Sequence, residues 1–407
     1  MQTNIHSQFE NTPKIKETED ILRSCVHCGF CTATCPTYQL TGDELDGPRG
    51  RIYLIKQLLE SGKVTEKTQL HLDRCLTCRS CETTCPSGVQ YGKLIDIGRF
   101  ITEKMVPRGY WEKFSRWLLR KIISYSERMA MIVWFGQLFK IFLPKSLARK
   151  VPDKSFFEAS SMTSHERKML ILDGCAQRVV TPATNVATAN VLNKLGIELI
   201  ETKKAGCCGA VSHHLSAEDE ALDFMRHNID VWWPFIEENK VEALVVTASG
   251  CGVTIKEYGS YLEHDANYAE KASVVSSLAK DLVEILSQEN LTDFKVDATS
   301  PKISYQSPCT LQHGQQLSGQ VEALLSDLGF QLLPMKDPHL CCGSAGTYSL
   351  LQADFSQKLL NNKLANLTQH QPDIIATANV GCQLHLSTQA TIPVKHWIEL
   401  LDSMSNT

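Results

Sequence analysis

No stretch of this 407-residue chain reaches the roughly 18 apolar residues that a membrane-spanning helix needs. The opening MQTNIHSQFENTPKIKETED lacks the basic start and apolar run of a secretory signal, so the cytoplasm is the expected compartment. Charge of one sign is scarce. A net charge of −4 sets up no global field and gives no reason to expect nucleic acid as a partner. No G-x-G-x-x-G follows a strand, and neither a P-loop nor a nucleophile elbow is present. Those absences leave no catalytic residue to nominate.

Cysteine, by contrast, is abundant, with sixteen residues. In a reducing compartment they read as metal ligands or redox groups rather than disulfides. Eight of them fall in two copies of one pattern, CVHCGFCTATCP at 25–36 and CLTCRSCETTCP at 75–86. C-x2-C-x2-C-x3-C-P is the bacterial ferredoxin run. Three thiolates meet one iron–sulfur cube from a tight turn, and the fourth cysteine serves the other cluster. The fourth cysteine is expected to start a helix, and proline suits its first position, where a missing N–H is harmless. The pattern assigns Cys25, Cys28, Cys31 and Cys85 to one [4Fe–4S] cluster, and Cys75, Cys78, Cys81 and Cys35 to a second. Zinc knuckles use paired C-x2-C units and have neither the third closely spaced cysteine nor the doubled Cys-Pro. Between the copies, RGRIYLIKQLLESG has apolar residues at helical spacing and a glycine stop, so the insert reads as mostly helical.

The other eight cysteines repeat on a larger scale. Cys175 precedes Cys207–Cys208 with 31 residues between, and Cys309 precedes Cys341–Cys342 with 31 between. Both pairs run into glycine, and Cys251 and Cys382 each follow an apolar run and a glycine. Such self-similarity marks a duplication. RKMLILDGC, VEALVVTASGC, KISYQSPC and PDIIATANVGC read as strands ending at cysteine, with IELIE a further strand and helices between. Open α/β sheets build their sites at such carboxyl ends. The expected fold is α+β and multidomain. An alpha-helical ferredoxin-like domain with two [4Fe–4S] turns covers 1–105, a basic amphipathic helical linker covers 106–165, and two related α/β units cover 166–295 and 300–407. Cys175, Cys207, Cys208 and Cys251 form one candidate metal set, and Cys309, Cys341, Cys342 and Cys382 another. Either suits zinc or a further iron–sulfur cluster, while buried apolar packing is the plainer alternative. His385 is a further ligand candidate in the second unit, and His213 and His313 lie near candidates in sequence.

Residues 108–150 hold ten Lys or Arg against two Glu, and nine aromatics. Trp111, Phe114, Leu118, Ile122, Tyr125, Met129 and Ile132 fall on one helical stripe, with Lys113, Arg116 and Arg120 on the other face. Three readings stand: a helix packed on a neighbouring domain, a docking surface for another subunit, or a membrane-surface helix with basic residues near anionic lipid. The last, with no spanning segment, implies peripheral placement on the inner face of the cytoplasmic membrane.

The paired units, C-x31-C-C-G followed by a cysteine after a strand, resemble the cysteine-rich (CCG) domains of heterodisulfide reductase-type subunits. With the double ferredoxin module they resemble a wider electron-transfer family that includes the anaerobic glycerol-3-phosphate dehydrogenase small subunit. Within it, CVHCGFCTATCPTYQLTGDELDGPRGRIYLIKQLLE, HLDRCLTCRSCETTCPSGVQY, AGCCGAV, TASGCG and HLCCGSAGTYSLL resemble the iron–sulfur subunits of bacterial glycolate oxidases over nearly the whole chain. The resemblance implies a separate FAD subunit that oxidises glycolate to glyoxylate, a second flavoprotein-like subunit, and electron passage from flavin to a quinone or another acceptor. The alternatives are a heterodisulfide reductase-type enzyme, or the iron–sulfur subunit of a glycerol-3-phosphate or lactate dehydrogenase. The reductase pattern ends C-x-x-C, whereas this chain has Thr254 and His385 at those places. That departure favours the electron-transfer subunit.

Overall fold

The computed structural model describes residues 2–10, 14–142, 151, 163–238, 240–297 and 300–404. Of the expected basic linker, residues 143–150 and 152–162 lie outside the described residues, and with them Lys145, Arg149 and Lys150.

The first part is helical, as the periodicity requires. Helix α1 (Ile15–Ser24) leads into the first cysteine turn, and α2 (Pro36–Thr41) leaves it. The insert supplies α3 (Pro48–Ser61) and α4 (Glu66–Asp73), and α5 (Tyr91–Met105) follows the second turn. Proline opens α3 and Gly62, at φ 67°, ends it. Leu22, Ile55, Leu58, Leu59, Leu94 and Ile95 fill the space between α1, α3 and α5 and are fully buried. Each such side chain contributes about 1.5–3 kcal/mol, which anchors both cysteine turns to one rigid core. The fourth-cysteine expectation holds in one copy only. Cys35 precedes α2 with Pro36 at its first position, but Cys85–Pro86 enters a turn that ends at Gly88.

Two four-stranded parallel sheets follow. The first runs β2 (Ile197–Glu201), β1 (Arg167–Ile171), β3 (Leu244–Val246), β4 (Ala279–Asp281) across the sheet. The second runs β6 (Gln331–Leu332), β5 (Lys302–Gln306), β7 (Ile374–Thr377), β8 (Val394–His396). The identical order is the tertiary expression of the duplication seen in the cysteines. The cysteines do not sit on the strand ends themselves. Cys175 lies in the turn beyond β1, Cys309 opens the helical segment Thr310–Gly314 beyond β5, and Cys251 and Cys382 lie in the first turns of helices Ser249–Lys256 and Val380–Ser387. The backbone must leave the sheet edge before a side chain can turn back over it.

The units share a core. Met169, Val191, Ile197 and Leu282 of the first pack with Ile303, Leu325, Trp397 and Leu401 of the second in one buried cluster. Thr184 Oγ1 donates to Glu399 Oε1 at 2.7 Å, and His396 Nε2 donates to Thr247 O at 3.0 Å. The helical part docks on both units. Arg79 forms an ion pair with Glu257 of the first, and Tyr348 of the second donates to Arg74 O at 3.1 Å.

The region after α5 departs from the sequence reading. The single stripe is broken at Ser124–Tyr125 into α6 (Tyr110–Ile123) and α7 (Ser126–Leu138). The apolar side faces outward, and Trp111 is 77% exposed, with Tyr110, Phe114, Trp117, Trp134 and Phe135 also exposed. The basic side faces inward. Arg116 is buried against Asp73 at 3.1 Å, and Arg120 and Lys121 reach Glu220 at 3.7 and 3.1 Å. Acidic partners on the protein itself take up Arg116, Arg120 and Lys121, while Lys113 stays exposed, and the stripe is half-buried at Ile122, Tyr125 and Met129, with Tyr125 against Phe224 at 5.6 Å.

Candidate iron–sulfur and thiol centres

Each ferredoxin turn is made by the same backbone device. Residues two and four places after the first cysteine adopt φ > 0: His27 (56°) and Gly29 (86°) in one turn, Thr77 (52°) and Arg79 (59°) in the other. Non-glycine residues pay about 1–3 kcal/mol for such conformations, which persist at functional sites where the surroundings fix them. Arg99 fixes the second turn by donating to Leu72 O at 2.9 Å, Cys75 O at 2.5 Å and Thr77 Oγ1 at 2.8 Å.

The turns bring cysteines together crosswise. Cys25, Cys28, Cys31 and Cys85 line one cavity, and Cys35, Cys75 and Cys78 line another, with Cys81 on both walls. Burial, reinforced by Cys25 and Cys28, pushes the Cys31 thiol up to about 11, and burial holds Cys78 and Cys81 well above the ordinary thiol range. Four thiols crowded around one cavity repel as thiolates. A cationic iron–sulfur core would remove that repulsion, so the donor sets fit such a group. Two donors aim at Cys75 Sγ: Thr77 N–H at 3.4 Å and Tyr91 Oη at 3.6 Å. Hydrogen bonds to cluster sulfurs are among the features that set potential.

Sequence reasoning missed the cation beneath the second turn. Arg51 is fully buried and donates to His71 O at 2.7 Å and to Thr37 Oγ1 at 3.2 Å. Asp46, also buried, lies 3.7 Å from it and takes His71 Nδ1 at 2.8 Å and Arg74 Nη1 at 2.9 Å. Cys35 Sγ lies 3.3 Å from Thr37 Oγ1, so the network ends on a thiol of the second set. A positive charge in this place favours thiolate and electron-rich clusters. The only signal in the sequence is an arginine on the apolar face of a helix.

The other eight cysteines also converge. Hydrogen bonds run Cys175–Cys207–Cys208–Cys251, holding Cys207 below its ordinary value and Cys175 and Cys208 above. In the second unit Cys309 Sγ lies 3.8 Å from Cys341 Sγ, and Cys342 Sγ 3.2 Å from Cys382 Sγ. All sixteen thiols are free. The glycine after each pair is required by its backbone: Gly209 (φ 92°) and Gly343 (φ 88°) would each bring a Cβ against a helix carbonyl, Ala221 O at 3.0 Å and Ser356 O at 2.7 Å. Cys78 and Cys309 pack on one apolar cluster formed by Leu76, Cys341, Tyr348 and Leu359, so the second thiol set adjoins the second ferredoxin turn. Lys363, buried beside this set, donates to Pro338 O at 3.1 Å and was not foreseen. The three expected histidines have polar partners: His213 lies 3.3 Å from Asp96, His313 2.9 Å from Thr83 Oγ1, and His385 3.1 Å from Ser356 Oγ.

Comparison with known proteins places this geometry. A family model described as a 4Fe-4S dicluster domain matches residues 21–89, and one described as a cysteine-rich domain (CCG) matches 169–256 and 303–387. The glycolate oxidase iron-sulfur subunit of Escherichia coli (strain K12) is 50% identical over 99% of this chain and 98% of its own length. The probable glycolate oxidase iron-sulfur subunit of Bacillus subtilis (strain 168) is 27% identical over 93% and 91%. A fumarate reductase (CoM/CoB) subunit of Methanothermobacter marburgensis is 22% identical over 94% of this chain and 72% of its own. With two crosswise thiol sets, a duplicated cysteine-rich unit and a near full-length relative at 50% identity, the chain belongs to the family of glycolate oxidase iron–sulfur subunits.

Proposed function

We propose that this chain is the electron-carrying subunit of a complex that oxidises glycolate to glyoxylate. The observation that carries the reading is the 50% identity, over nearly the full length, to a relative named as that subunit. Glycolate is oxidised at FAD on a partner subunit, a second flavoprotein-like subunit accompanies it, and a quinone or another acceptor takes the electrons. Bound [4Fe–4S] clusters supply one-electron carriage between these ends. Cys25, Cys28, Cys31 and Cys85 hold one cluster, and Cys75, Cys78, Cys81 and Cys35 the other. The two cavities that these thiols line support the assignment. The second thiol set, Cys309, Cys341, Cys342 and Cys382, holds a further metal centre, a reading supported by its packing against Cys78. The reading also puts the complex on the inner face of the cytoplasmic membrane. No helix among the described residues is long and apolar enough to cross a membrane, and the support is the outward aromatic face of α6 and α7.

The test is reconstitution. The isolated chain should show no glycolate oxidation, and glycolate should reduce its clusters only after the flavin subunit is added. Turnover by the chain alone, or reduction by lactate but not glycolate, would overturn the assignment.

A further inference from the structure

A cavity of about 660 Å³ lies between the helical part and the first cysteine-rich unit. Neither the cluster ligands nor the thiol sets use it. Ligand pockets run to several hundred Å³ and favour domain interfaces. Its walls mix apolar and charged side chains. Phe9, Ile97, Phe100, Ile101, Met105 and Leu222 line it beside Lys93, Lys104 and Glu17, with Lys104 Nζ over the Phe100 ring at 3.9 Å. Asp96, His213, Tyr261, Glu257 and Arg79 also line it. His213 Nε2 lies 3.3 Å from Asp96 Oδ2, and its ring centre lies 4.6 Å from that of Tyr261. Tyr261 Oη donates to Glu257 Oε2 at 3.0 Å. Asp96 Oδ1 is buried without a hydrogen-bond partner, with His214 Nδ1 and Arg99 Nη1 standing off at 3.6 and 3.9 Å. Arg79, paired with Glu257, is the residue after Cys78 in the second ferredoxin turn. The cavity thus joins apolar wall residues, two proton-bearing side chains and the backbone of a cluster turn.

We propose that this cavity is a quinone-binding site. The proposal rests on the electron-carrier reading above and names where its acceptor binds. A sugar or nucleotide would leave the apolar side chains uncovered, and an acyl chain would leave the proton-bearing ones unused. A quinone has a flat apolar ring that suits Ile97 and Leu222, and a carbonyl oxygen that would accept from His213 Nε2–H or Tyr261 Oη–H by displacing their present partners, Asp96 Oδ2 and Glu257 Oε2. Its reduction to the quinol takes two electrons, supplied singly by the bound clusters and ultimately by reduced flavin on the partner, and two protons, one to each carbonyl oxygen. His213 or Tyr261 delivers the proton to the oxygen it faces and recovers it from solvent, and water protonates the other oxygen. Asp96 is a positioning residue, orienting His213 until the quinone enters. Helix Glu218–Glu237 carries both Leu222 on the cavity wall and Glu220, which holds Arg120 and Lys121 on the inward side of α6.

The test is equilibrium titration of ubiquinone-1 onto the full chain with its clusters assembled, with iron content and melting temperature measured for each variant. Leu222→Trp and Ile97→Trp, made separately, fill the cavity and should each weaken binding at least about tenfold. His213→Gln should weaken it about fivefold, the worth of one hydrogen bond. Absence of saturable binding to the native chain would overturn the proposal. So would binding that neither tryptophan variant alters, or binding abolished instead by Trp111→Ser with Phe114→Ser, which would place the quinone on the outer face. Neither glycolate nor the flavin subunit takes part in this measurement. A chain that binds ubiquinone-1 in a complex that does not oxidise glycolate therefore sinks only the glycolate reading, and the converse sinks only the site.

Discussion

Cys35 and Cys85 decide how the two ferredoxin turns depend on each other. Each lies in sequence with one turn and in space with the other, because the helical core folds the copies face to face. Cys35→Ser should therefore deplete the cluster built on Cys75, Cys78 and Cys81 and leave the one on Cys25, Cys28 and Cys31. Electron paramagnetic resonance of the reduced chain separates the two, and selective loss of the latter signal would refute the crosswise assignment. Arg51 acts on the same turn through charge. Its guanidinium is fully buried beside Asp46 and links α3 to the backbone of α4 through His71 O. Arg51→Met removes the cation and leaves the Asp46 carboxylate with less compensation, so stability should fall by about 3 kcal/mol. Urea denaturation of the native and variant chains measures this, and an unchanged midpoint would mean the network is dispensable.

Helix α6 inverts the usual amphipathic arrangement: Arg116, Arg120 and Lys121 are packed while Trp111, Phe114 and Trp117 are exposed. The ion pairs of Arg116 with Asp73, and of Arg120 and Lys121 with Glu220, hold α6 to the body of the protein. Charge reversal at Arg120 and Lys121 is therefore expected to loosen this docking rather than a lipid contact. The apolar face carries any membrane binding. Replacing Trp111, Phe114 and Trp117 together with Ser should lower sedimentation with anionic phospholipid vesicles by about tenfold or more, with little relief from added salt. Undiminished sedimentation of that triple variant would move membrane attachment to a partner subunit.

The two cysteine-rich units behave as one body because strands of one end on backbone of the other. His396, at the end of β8, accepts from Ile398 N–H at Nδ1 (3.3 Å) and donates from Nε2 to Thr247 O (3.0 Å). Burial pushes it down to about 4 from an ordinary 6.5. The unfolded chain therefore takes up a proton as pH falls from 6.5 towards 4, and the folded chain does not. The stabilising state is fully present above 6.5 and is lost on acidification across that window, by up to about 3 kcal/mol. His396→Gln should flatten this slope in denaturation measured between these pH values, and an unaltered slope would assign it to other groups. The duplicated units also frame the question of a third metal centre. Each four-iron cube of the ferredoxin pattern contributes four irons, so two account for about eight per chain. Changing both Cys341 and Cys342 to Ser should remove a further four irons or one zinc from anaerobically purified protein. Full retention of metal would reduce these cysteines to packing.

Chemistry was written locally, and arrangement was not. The ferredoxin turns, the helical insert and the duplicated strand–cysteine pattern are legible because each depends on residues a few places apart: cysteine spacing, a proline after the fourth thiol, an apolar period. The dicluster and cysteine-rich matches fall on those same stretches. The tertiary structure decided what depends on residues far apart in the chain. It placed the basic side of α6 inward, because Asp73 and Glu220, remote in sequence, wait there for the cations. It gave His213, His313 and His385 polar partners, set Arg51 under the second turn, and opened a cavity between Phe100 and Leu222 that neither segment announces alone. A motif records which groups can react together. Only packing brings distant charges and walls within a few ångströms, where burial and Coulomb forces settle what they face.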